Sequence, residues 1–382
     1  MVTAIVQGSA PAFPVLQQGE GIGGETLYVP AEPGKVLWGR LPCTGDVPIA
    51  TVAPGQQVVV DTVSHEGMLE DQGSDPLAYF RSHGVAADQV LVDAIEINAT
   101  RKRDALAGPH IVTGPIAVAG ARPGDLLAIR IDDLVMRAPY GVVSTRHARG
   151  VLAHRLGFDG NYGQFCAVEQ RDGNWFGTMP IQAGKALRAA FPLAPFLGIT
   201  GVATDTDTRV SSVPPGLHGG NLDIRRLTPG ATLFLPVQVP EALFYIGDPH
   251  FAQGNGEVAL TALEAPLRAR LTVDVIPAAE VTAGLGRSVG PFAAAHGFVL
   301  PTGLDADLNK ALELCVRNAV ELVVSLFDAD PRQAYLYLSA ASDFNISQAV
   351  DQVRGVHGEI RAADFAHRAE TALARRILER LQ

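Results

Sequence analysis

The chain has 382 residues, of which 47% are hydrophobic and only 18% are charged, and its formal net charge is −10. This balance supports a large core and argues against nucleic-acid binding, which usually needs a basic face. No polybasic segment indicates an anionic membrane surface, and no apolar run is long enough to span a bilayer. We therefore expect a soluble protein with neither a nucleic-acid nor a membrane partner.

The cysteines and the N-terminal segment indicate the cellular compartment in which we expect the protein. Cys43, Cys166 and Cys315 are odd in number and far apart, so no disulfide framework is implied, which fits a reducing cytosol. The first residues, MVTAIVQGSAPAFPVLQQGEG, lack the cationic start and continuous apolar core of a signal peptide. We expect a cytoplasmic location.

Short strands dominate the first 300 residues or so. Pro-Gly pairs at residues 54–55, 123–124 and 229–230 each precede a run of alternating apolar residues. Proline fixes φ and glycine accepts a positive φ, which suits a type II turn followed by a strand. A further strand is predicted over 267–277. Many short strands between turns indicate a mainly β fold, so we predict a β-sandwich-like body over residues 1–302.

The pattern changes near residue 303. Apolar residues at helical spacing predict helices over residues 305–330, Pro331–Ala341, 346–353 and 361–382. We therefore predict a mostly helical C-terminal region over 303–382 that packs on the body, with one continuous domain as the alternative. The amphipathic last helix favours a homo-oligomer, most simply a dimer, unless its apolar face packs internally.

The segment GDPHFAQGNGE is the richest in chemistry-bearing residues. Asp248, His250, Gln253 and Glu257 lie within ten residues, after a strand-like run. Imidazole and carboxylate are the usual ligands of a catalytic divalent ion, and the glycines let the loop fold around it. The alternative is a solvated turn with one surface histidine.

Upstream, HGGNLD supplies a second candidate set. His218, Asn221 and Asp223 surround Gly219 and Gly220, whose amides are candidates to approach a substrate oxygen. The alternative is an Asx-type turn that opens a strand.

Two further histidines follow or precede predicted strands. His65, in SHEGMLEDQG, is a candidate ligand or acid/base, although no helical His-Glu-x-x-His motif is present and a charged loop tip is the alternative. His110, in GPHIVTGPI, fits a hydrogen-bonded structural residue better than a ligand, and we keep it as a candidate substrate contact.

These motifs carry a family resemblance. HGGNLD, LFLPVQVPEALFYIGDPHFAQGNGE and ALTALE resemble the acetamidase/formamidase family of amide hydrolases, and TGPIAVAGARPGDLLAIRIDDL is similar to its other hallmark. The resemblance spans about residues 35–366. It implies a β-sandwich-like body, hydrolysis of short carboxylic amides to acid and ammonia, and dependence on a divalent metal. The chain departs from the family pattern at SHEGMLEDQGSDP, which leaves open a different, larger amide.

The residues also bear on how an amide is cleaved. The four lysines lie in PGKV, RKRD, AGKA and LNKA, none in the Gly/Ser-rich setting of a Ser-Ser-Lys system. The cysteines lack the signature of a nucleophile and are interpreted as buried, inert thiols. Water activated by a metal remains, and zinc is the first choice, with calcium or manganese possible.

The predicted site follows from these motifs. The predicted metal ligands are His65, Asp223 and His250. Asp248 is a further ligand or orients one, and Glu257 is the acid/base. Asn221 and the amides of Gly219 and Gly220 are predicted to hold the oxyanion. The remaining predicted substrate contacts are His218, Gln253 and His110.

Two other classes of protein are alternatives to an amide hydrolase. A metal-containing β-sandwich that binds sugar or a partner without catalysis predicts exposed aromatic platforms, yet aromatic residues are only 6% of the chain. A cupin-type oxygenase needs a His-x-His pair, which the sequence does not contain.

Overall fold

The computed structural model describes residues 12–381 except 25, 105–106, 154, 156, 158–159, 183–184, 186 and 286–289. Its strands are β1 (Leu27–Val29), β2 (Val36–Trp38), β3 (Ala50–Val52), β4 (Gln57–Asp61), β5 (Ile111–Val118), β6 (Leu126–Met136), β7 (Tyr140–Thr145), β8 (Tyr162–Arg171), β9 (Asn174–Pro180), β10 (Arg188–Pro192), β11 (Phe196–Gly201), β12 (Gly219–Asn221), β13 (Thr232–Pro236), β14 (Phe244–Ala252), β15 (Leu263–Glu264), β16 (Leu267–Ile276), β17 (Phe292–Ala295), β18 (Phe298–Asp305), β19 (Asp343–Gln348) and β20 (Arg354–Arg361). Its helices are α1 (Pro76–Ser82), α2 (Val92–Thr100), α3 (Ala278–Leu285), α4 (Leu308–Phe327), α5 (Pro331–Ala341) and α6 (Ala372–Leu378).

The strands form two sheets. The first has the order β1-β4-β16-β6-β13-β17-β18-β20-β19, and the second has the order β10-β9-β8-β7-β15-β14-β11-β12, with β5 added beside β14 and with β2 and β3 beside β5. Buried side chains from both sheets, such as Val60 and Ile129 from the first and Leu197 and Phe244 from the second, belong to one apolar cluster. The prediction of a mainly β, sandwich-like body with helices towards the C-terminus is confirmed.

The Pro-Gly turns form as predicted. Gly55, Gly124 and Gly230 have φ of 80°, 94° and 97°, and the amide after each glycine donates to the carbonyl before each proline. Glycine occupies this left-handed region without steric cost, so the turns direct the chain into β4, β6 and β13. These strands and β16 are consecutive neighbours in the first sheet.

The C-terminal region is partly as predicted. Asp307 caps α4 and Asp330 caps α5, each by accepting bonds from backbone amides of the first turn, so these two predicted helices are confirmed.

The helix predicted over 346–353 is wrong, and the helix predicted over 361–382 is confirmed only in its last part, as α6. Residues 346–353 include the end of β19, because this segment pairs with β20 and buries Ser347 and Gln348. The last helix begins only after Thr371, because Phe365 stacks on Phe327 at 4.0 Å and the chain crosses α4 there.

The division at residue 303 stays a prediction. β18, β19 and β20 extend the first sheet, and α4 packs on β18 and β20. A second apolar cluster joins Leu126 and Phe234 of the body to α4 and α6. This continuity favours the alternative of one continuous domain. Within the described residues, no helix is long and apolar enough to cross a membrane.

A buried guanidinium fixes the end of β4, where the candidate site begins. Arg137 is 0% exposed, and its Nη2 lies 2.7 Å from Asp93 Oδ2 and 3.5 Å from Asp61 Oδ2. Its Nη1 donates to the Thr62 carbonyl at 3.0 Å. His65 follows Thr62 by three residues, so this anchored end of β4 leads directly into the segment that carries that imidazole.

Replacing Arg137 by Met is expected to lower the free energy of unfolding by about 3–5 kcal/mol, because it leaves a buried carboxylate without its partner. Urea-induced unfolding measures the loss. In the matched control Arg171→Met, the ion pair with Glu169 is exposed, and the loss is expected to be about 0–1 kcal/mol. Equal losses for the two variants would contradict the role given to Arg137.

Candidate metal centre

The central strands of the second sheet bring most of the site together. β14 carries Asp248 and His250, and His250 lies opposite Glu264 of β15 in the strand register. On the other side β14 pairs with β11, which pairs with β12. β12 ends at Asn221, so Asp223 follows immediately.

Three loops complete the site. His65 follows β4 of the first sheet, and the Thr113 hydroxyl of β5 donates to the Asp61 carbonyl at 2.7 Å, which ties the two sheets together there. His110 directly precedes β5. Glu257 lies in the loop after β14, where Gly256 N donates to Ser347 O at 3.0 Å. Residues far apart in sequence therefore meet in one place.

Asp248 lies among three imidazoles. Its Oδ2 is 3.2 Å from His250 Nε2 and 3.9 Å from His110 Nε2, and its Oδ1 is 3.9 Å from His65 Nδ1. His250 Nε2 is also 3.1 Å from Glu264 Oε1. All five side chains are buried.

Two groups of side chains have the chemistry and spacing of metal ligands. In one, the ligand atoms of Asp223, His250 and Glu257 lie within 4.8 Å of one another. In the other, those of His65, Asp248 and Glu264 do so. The structure thus places the predicted ligands Asp223 and His250 in one group and the predicted ligand His65 in the other. Asp248 lies near the imidazoles of both His65 and His250.

Gly198 of β11 makes this convergence sterically possible. A Cβ at this position would lie 2.6 Å from Asp223 Oδ1 and His250 Cε1, and 2.8 Å from Asp248 Oδ2. Any side chain larger than hydrogen would enter the space that these three groups share.

Three of the acidic residues have left-handed backbone conformations. The φ angles of Asp223, Asp248 and Glu257 are 51°, 48° and 46°. This region is uncommon for residues other than glycine, and such conformations concentrate at functional sites, where the surrounding structure holds them.

The carboxylates outnumber the positive charges that face them. Burial and the neighbouring charge of Glu257 raise the pKa of Asp223 well above its usual range, and burial likewise raises that of Glu257. Burial raises the pKa values of Glu264 and Asp351 to about 8. Without a further cation, the site therefore favours protonated acids.

The imidazoles divide into two kinds. Burial lowers the pKa values of His65 and His110, which favours the neutral form that ligates metals. For His250, burial also favours a lower pKa, but the negative charges of Glu264 and Asp248 have the larger effect. The pKa of His250 is therefore raised well above its usual range. For Asp248, burial is outweighed by His110 and His250, so its pKa is lowered.

Several buried oxygens in this cluster have no hydrogen-bond partner to satisfy them within the described ranges. Both carboxylate oxygens of Asp223, Oδ1 of Asp248 and Oε2 of Glu264 have no hydrogen-bond partner among the described residues. Buried polar atoms without partners are costly, and a divalent cation satisfies several of them at once. The donor set of carboxylate and imidazole therefore fits a divalent cation.

A cavity of about 930 Å³ opens onto this cluster. His65, His110, Asn221, Asp248, Glu257 and Glu264 line it. Arg146 also lines it, and its Nη2 lies 2.9 Å from both oxygens of Glu66, which neutralises that buried carboxylate. No lysine or cysteine is among the described residues that line the cavity. Cys166 lies elsewhere, and burial raises the pKa of its thiol to about 12, which fits an inert thiol.

The other predicted site residues have different surroundings. Gly219 N already donates to Gly216 O at 3.0 Å, whereas Asn221 Oδ1 is buried without a partner. Gln253 Nε2 donates to Asp223 O at 2.9 Å and to Ser347 O at 3.2 Å, which ties three segments together. His110 Nδ1 contacts Ser212 Oγ at 3.0 Å, so it is both hydrogen-bonded and in the cavity.

The other two residues of HGGNLD named as substrate contacts lie beside this network. His218 is half-buried, and burial lowers its pKa to about 4. A Cβ on Gly220 would lie 2.8 Å from His218 Nε2, so the two residues are in close contact.

The sequence interpretation missed Glu264, Asp351, Gly198 and Arg146 as site residues. Glu264 carried a usable signal, since it is an acid next to an apolar run in ALTALE. Asp351 lies in the QAVDQVRG segment without any local motif. Gly198 and Arg146 have no local signal, because their importance depends on neighbours that are distant in sequence.

Two packed sheets around a buried cluster of carboxylates and imidazoles define the class: a mainly β protein with a candidate divalent-cation centre. Residues 202–357, which include both HGGNLD and GDPHFAQGNGE, match the acetamidase/formamidase family. This match bears out the resemblance of the motifs to that family.

Individual relatives agree with this assignment. An acetamidase of Mycolicibacterium smegmatis is 30% identical over 203 residues, which cover 40% of this chain and 50% of that protein. A formamidase of Methylophilus methylotrophus is 28% identical over 191 residues, covering 39% and 47%. The chain thus spans about half the length of the curated relatives that it matches.

The fold extends further than the sequence similarity. The crystal structure of an acetamidase from Yersinia enterocolitica has a TM-score of 0.69 to this chain at 21% identity. The similarity covers 91% of this chain and 96% of that one. The two chains share their overall fold.

Proposed function

We propose that the protein hydrolyses the C–N bond of a small linear carboxylic amide to the acid and ammonia, with the help of a divalent cation. The observation that carries this proposal is the buried set of Asp223, His250 and Glu257, whose ligand atoms lie within 4.8 Å of one another at the cavity. The match of residues 202–357 to the acetamidase/formamidase family supports the choice of reaction.

Each of the two ligand groups described above is a proposed position for a divalent cation. Asp223 and His250 would hold a divalent cation, and His65 and Asp248 would act as further ligands or as orienting residues. A bound divalent cation polarises a carbonyl and lowers the pKa of water towards 7. Zinc is the first choice because of the imidazoles, and elemental analysis distinguishes it from calcium or manganese.

Glu257 is the proposed acid/base. It takes a proton from water as the water oxygen forms a bond to the amide carbon, and it then gives that proton to the nitrogen as the C–N bond breaks. Burial raises the pKa of Glu257, so its carboxylate holds a proton readily during this transfer. The Asn221 amide group lines the cavity and is the proposed donor to the oxyanion.

Removing the cation is expected to abolish the reaction. Treatment with a chelator should lower ammonia release from acetamide, formamide or propionamide by at least about 100-fold, because metal polarisation contributes several kcal/mol to catalysis. Adding back Zn²⁺ should restore it. Undiminished release by protein that elemental analysis shows to be metal-free would contradict the proposal, and the same treatment with a metal-saturated chelator is the control.

Assembly and location stay predictions: a homodimer in the cytoplasm. A binding protein without catalysis is the other outcome of the assay, in which the metal is present but no amide releases ammonia.

A further inference from the structure

The cavity is larger than a one- or two-carbon amide requires. Its volume of about 930 Å³ lies near the upper end of the roughly 300–1,000 Å³ that encloses drug-sized ligands. Substrate groups beyond the amide therefore have room to contact its walls, and the charge on those walls bears on which groups they are.

Two of the arginines that line the cavity already have carboxylate partners. Arg103 Nη2 lies 2.7 Å from Glu70 Oε2. Arg146 pairs with Glu66, and its Nε is 3.4 Å from Asp71 Oδ2. These pairs account for Glu70 and Asp71. The other acidic residues that line the cavity are Asp248, Glu257 and Glu264 of the two ligand groups, and Asp351, which lies beside Asp223.

Arg149 and Arg354 also line the cavity but have no carboxylate partner among the described residues. Arg354 Nη1 donates to the carbonyls of Ala306 and Gln352. Arg149 is exposed, and the hydrogen bond recorded for it is made by its backbone amide to Arg146 O at 3.2 Å. Neither guanidinium therefore lies within ion-pair distance of a carboxylate in the part of the chain that the structure describes.

Both arginines belong to segments that flank the loop of Glu257. Next to Arg149, Val151 N donates to Val258 O at 2.9 Å. On the other side, the segment that leads to Arg354 is held by Ala349 N, which donates to Gly256 O at 3.1 Å. The two charges therefore lie on the walls of the same cavity as the reacting groups.

Apolar side chains line the same cavity. Leu69, Val213, Leu260 and Val350 are among them. A ligand that fits these surroundings has a reactive amide at the metal cluster, an apolar chain, and an anionic group at its far end. Guanidinium is well suited to carboxylate because it donates in a planar fork.

Building on the proposed amide hydrolysis, we propose that the substrate amide carries a carboxylate, which Arg149 and Arg354 bind. The arginines select the substrate, whereas the cluster around Asp248 and Glu257 cleaves it. This assigns a substrate class that differs from acetamide and formamide, and it makes Arg149 and Arg354 specificity-determining residues.

The test compares amides that are matched in length. Succinamate and glutaramate carry a carboxylate where butyramide and valeramide carry a methyl group. For the metal-loaded protein, kcat/KM from ammonia release is expected to be about tenfold or more higher for the carboxylates, which is the effect of one charge-assisted hydrogen bond. High salt should reduce this ratio, because Arg149 is exposed and salt screens its charge.

Three variants connect the ratio to the arginines. Arg149→Gln and Arg354→Gln are each expected to lower the ratio of carboxylate to methyl substrates, and Arg149→Glu is expected to bring it below one. Because Arg149 is exposed and its guanidinium makes no hydrogen bond or ion pair with the described residues, its replacement should leave the fold intact, which circular dichroism checks. Arg332→Gln, an exposed arginine on α5, is the matched control and should keep the wild-type ratio.

Two outcomes overturn the proposal in distinguishable ways. If all four amides release ammonia but with equal kcat/KM, or if the Arg149 variants keep the wild-type ratio, the carboxylate selectivity is wrong and amide hydrolysis stands. If neither these amides nor acetamide and formamide release ammonia with Zn²⁺ present, the proposed function fails and the substrate class fails with it.

Discussion

Glu257→Gln is expected to lower kcat by about 10²–10⁴-fold, because the variant has lost the group that moves the proton from water to nitrogen. Glutamine keeps the size of the side chain and an oxygen that can still contact a cation. The metal content is therefore expected to stay near that of the wild type. Ammonia release and elemental analysis of the same preparation measure both quantities.

The combination of the two measurements separates the roles open to Glu257. Near-normal turnover would eliminate it as the base. Lost turnover together with lost metal would make it primarily a ligand, as its distance from Asp223 and His250 allows. Glu313→Gln, at an exposed position on α4, is the control and should change neither quantity.

Gly198→Ala is expected to abolish both metal binding and turnover, with a loss of at least about 100-fold in kcat/KM. The new methyl group would lie 2.6–2.8 Å from atoms of Asp223, His250 and Asp248, closer than van der Waals contact permits. Those three side chains are buried and must move apart. Metal content, turnover and the thermal midpoint of unfolding are the measurements.

The matched control is Gly163→Ala, on β8 of the same sheet. A Cβ there meets its nearest atoms at 3.8 Å, which is ordinary contact. The control should therefore keep both metal and activity. A Gly198→Ala protein that binds metal with unchanged stoichiometry and turns over normally would show that the cluster around Asp248 is not the reaction centre.

Both variants address why the cluster requires a cation. Asp223, Asp248, Glu257 and Glu264 are buried together, and several of their oxygens have no partner among the described residues. Taking such charges out of water is expensive unless an opposite charge compensates them. A divalent ion supplies that charge, so metal occupancy and the stability of this region should change together.

The sequence by itself determined the features that depend on neighbouring residues. Pro-Gly turns, alternating strands and capped helices such as α4 and α5 arise from local conformational preferences, so they could be predicted. HGGNLD and GDPHFAQGNGE could be recognised for the same reason, since the residues of each motif lie within a few positions of one another.

Only the tertiary structure decided how these pieces meet. Residues 346–353 include the end of β19, because this segment pairs with β20. The local spacing of its apolar residues favours a helix instead. His250 lies beside Glu264 through the register of β14 and β15, and His65 joins them from the other sheet. The need for glycine at position 198, and the presence of Arg149 and Arg354 on the wall of the same cavity, depend on groups that are distant in sequence. Local pattern cannot reveal such features, because steric space and charge compensation are set by whichever side chains the fold brings close.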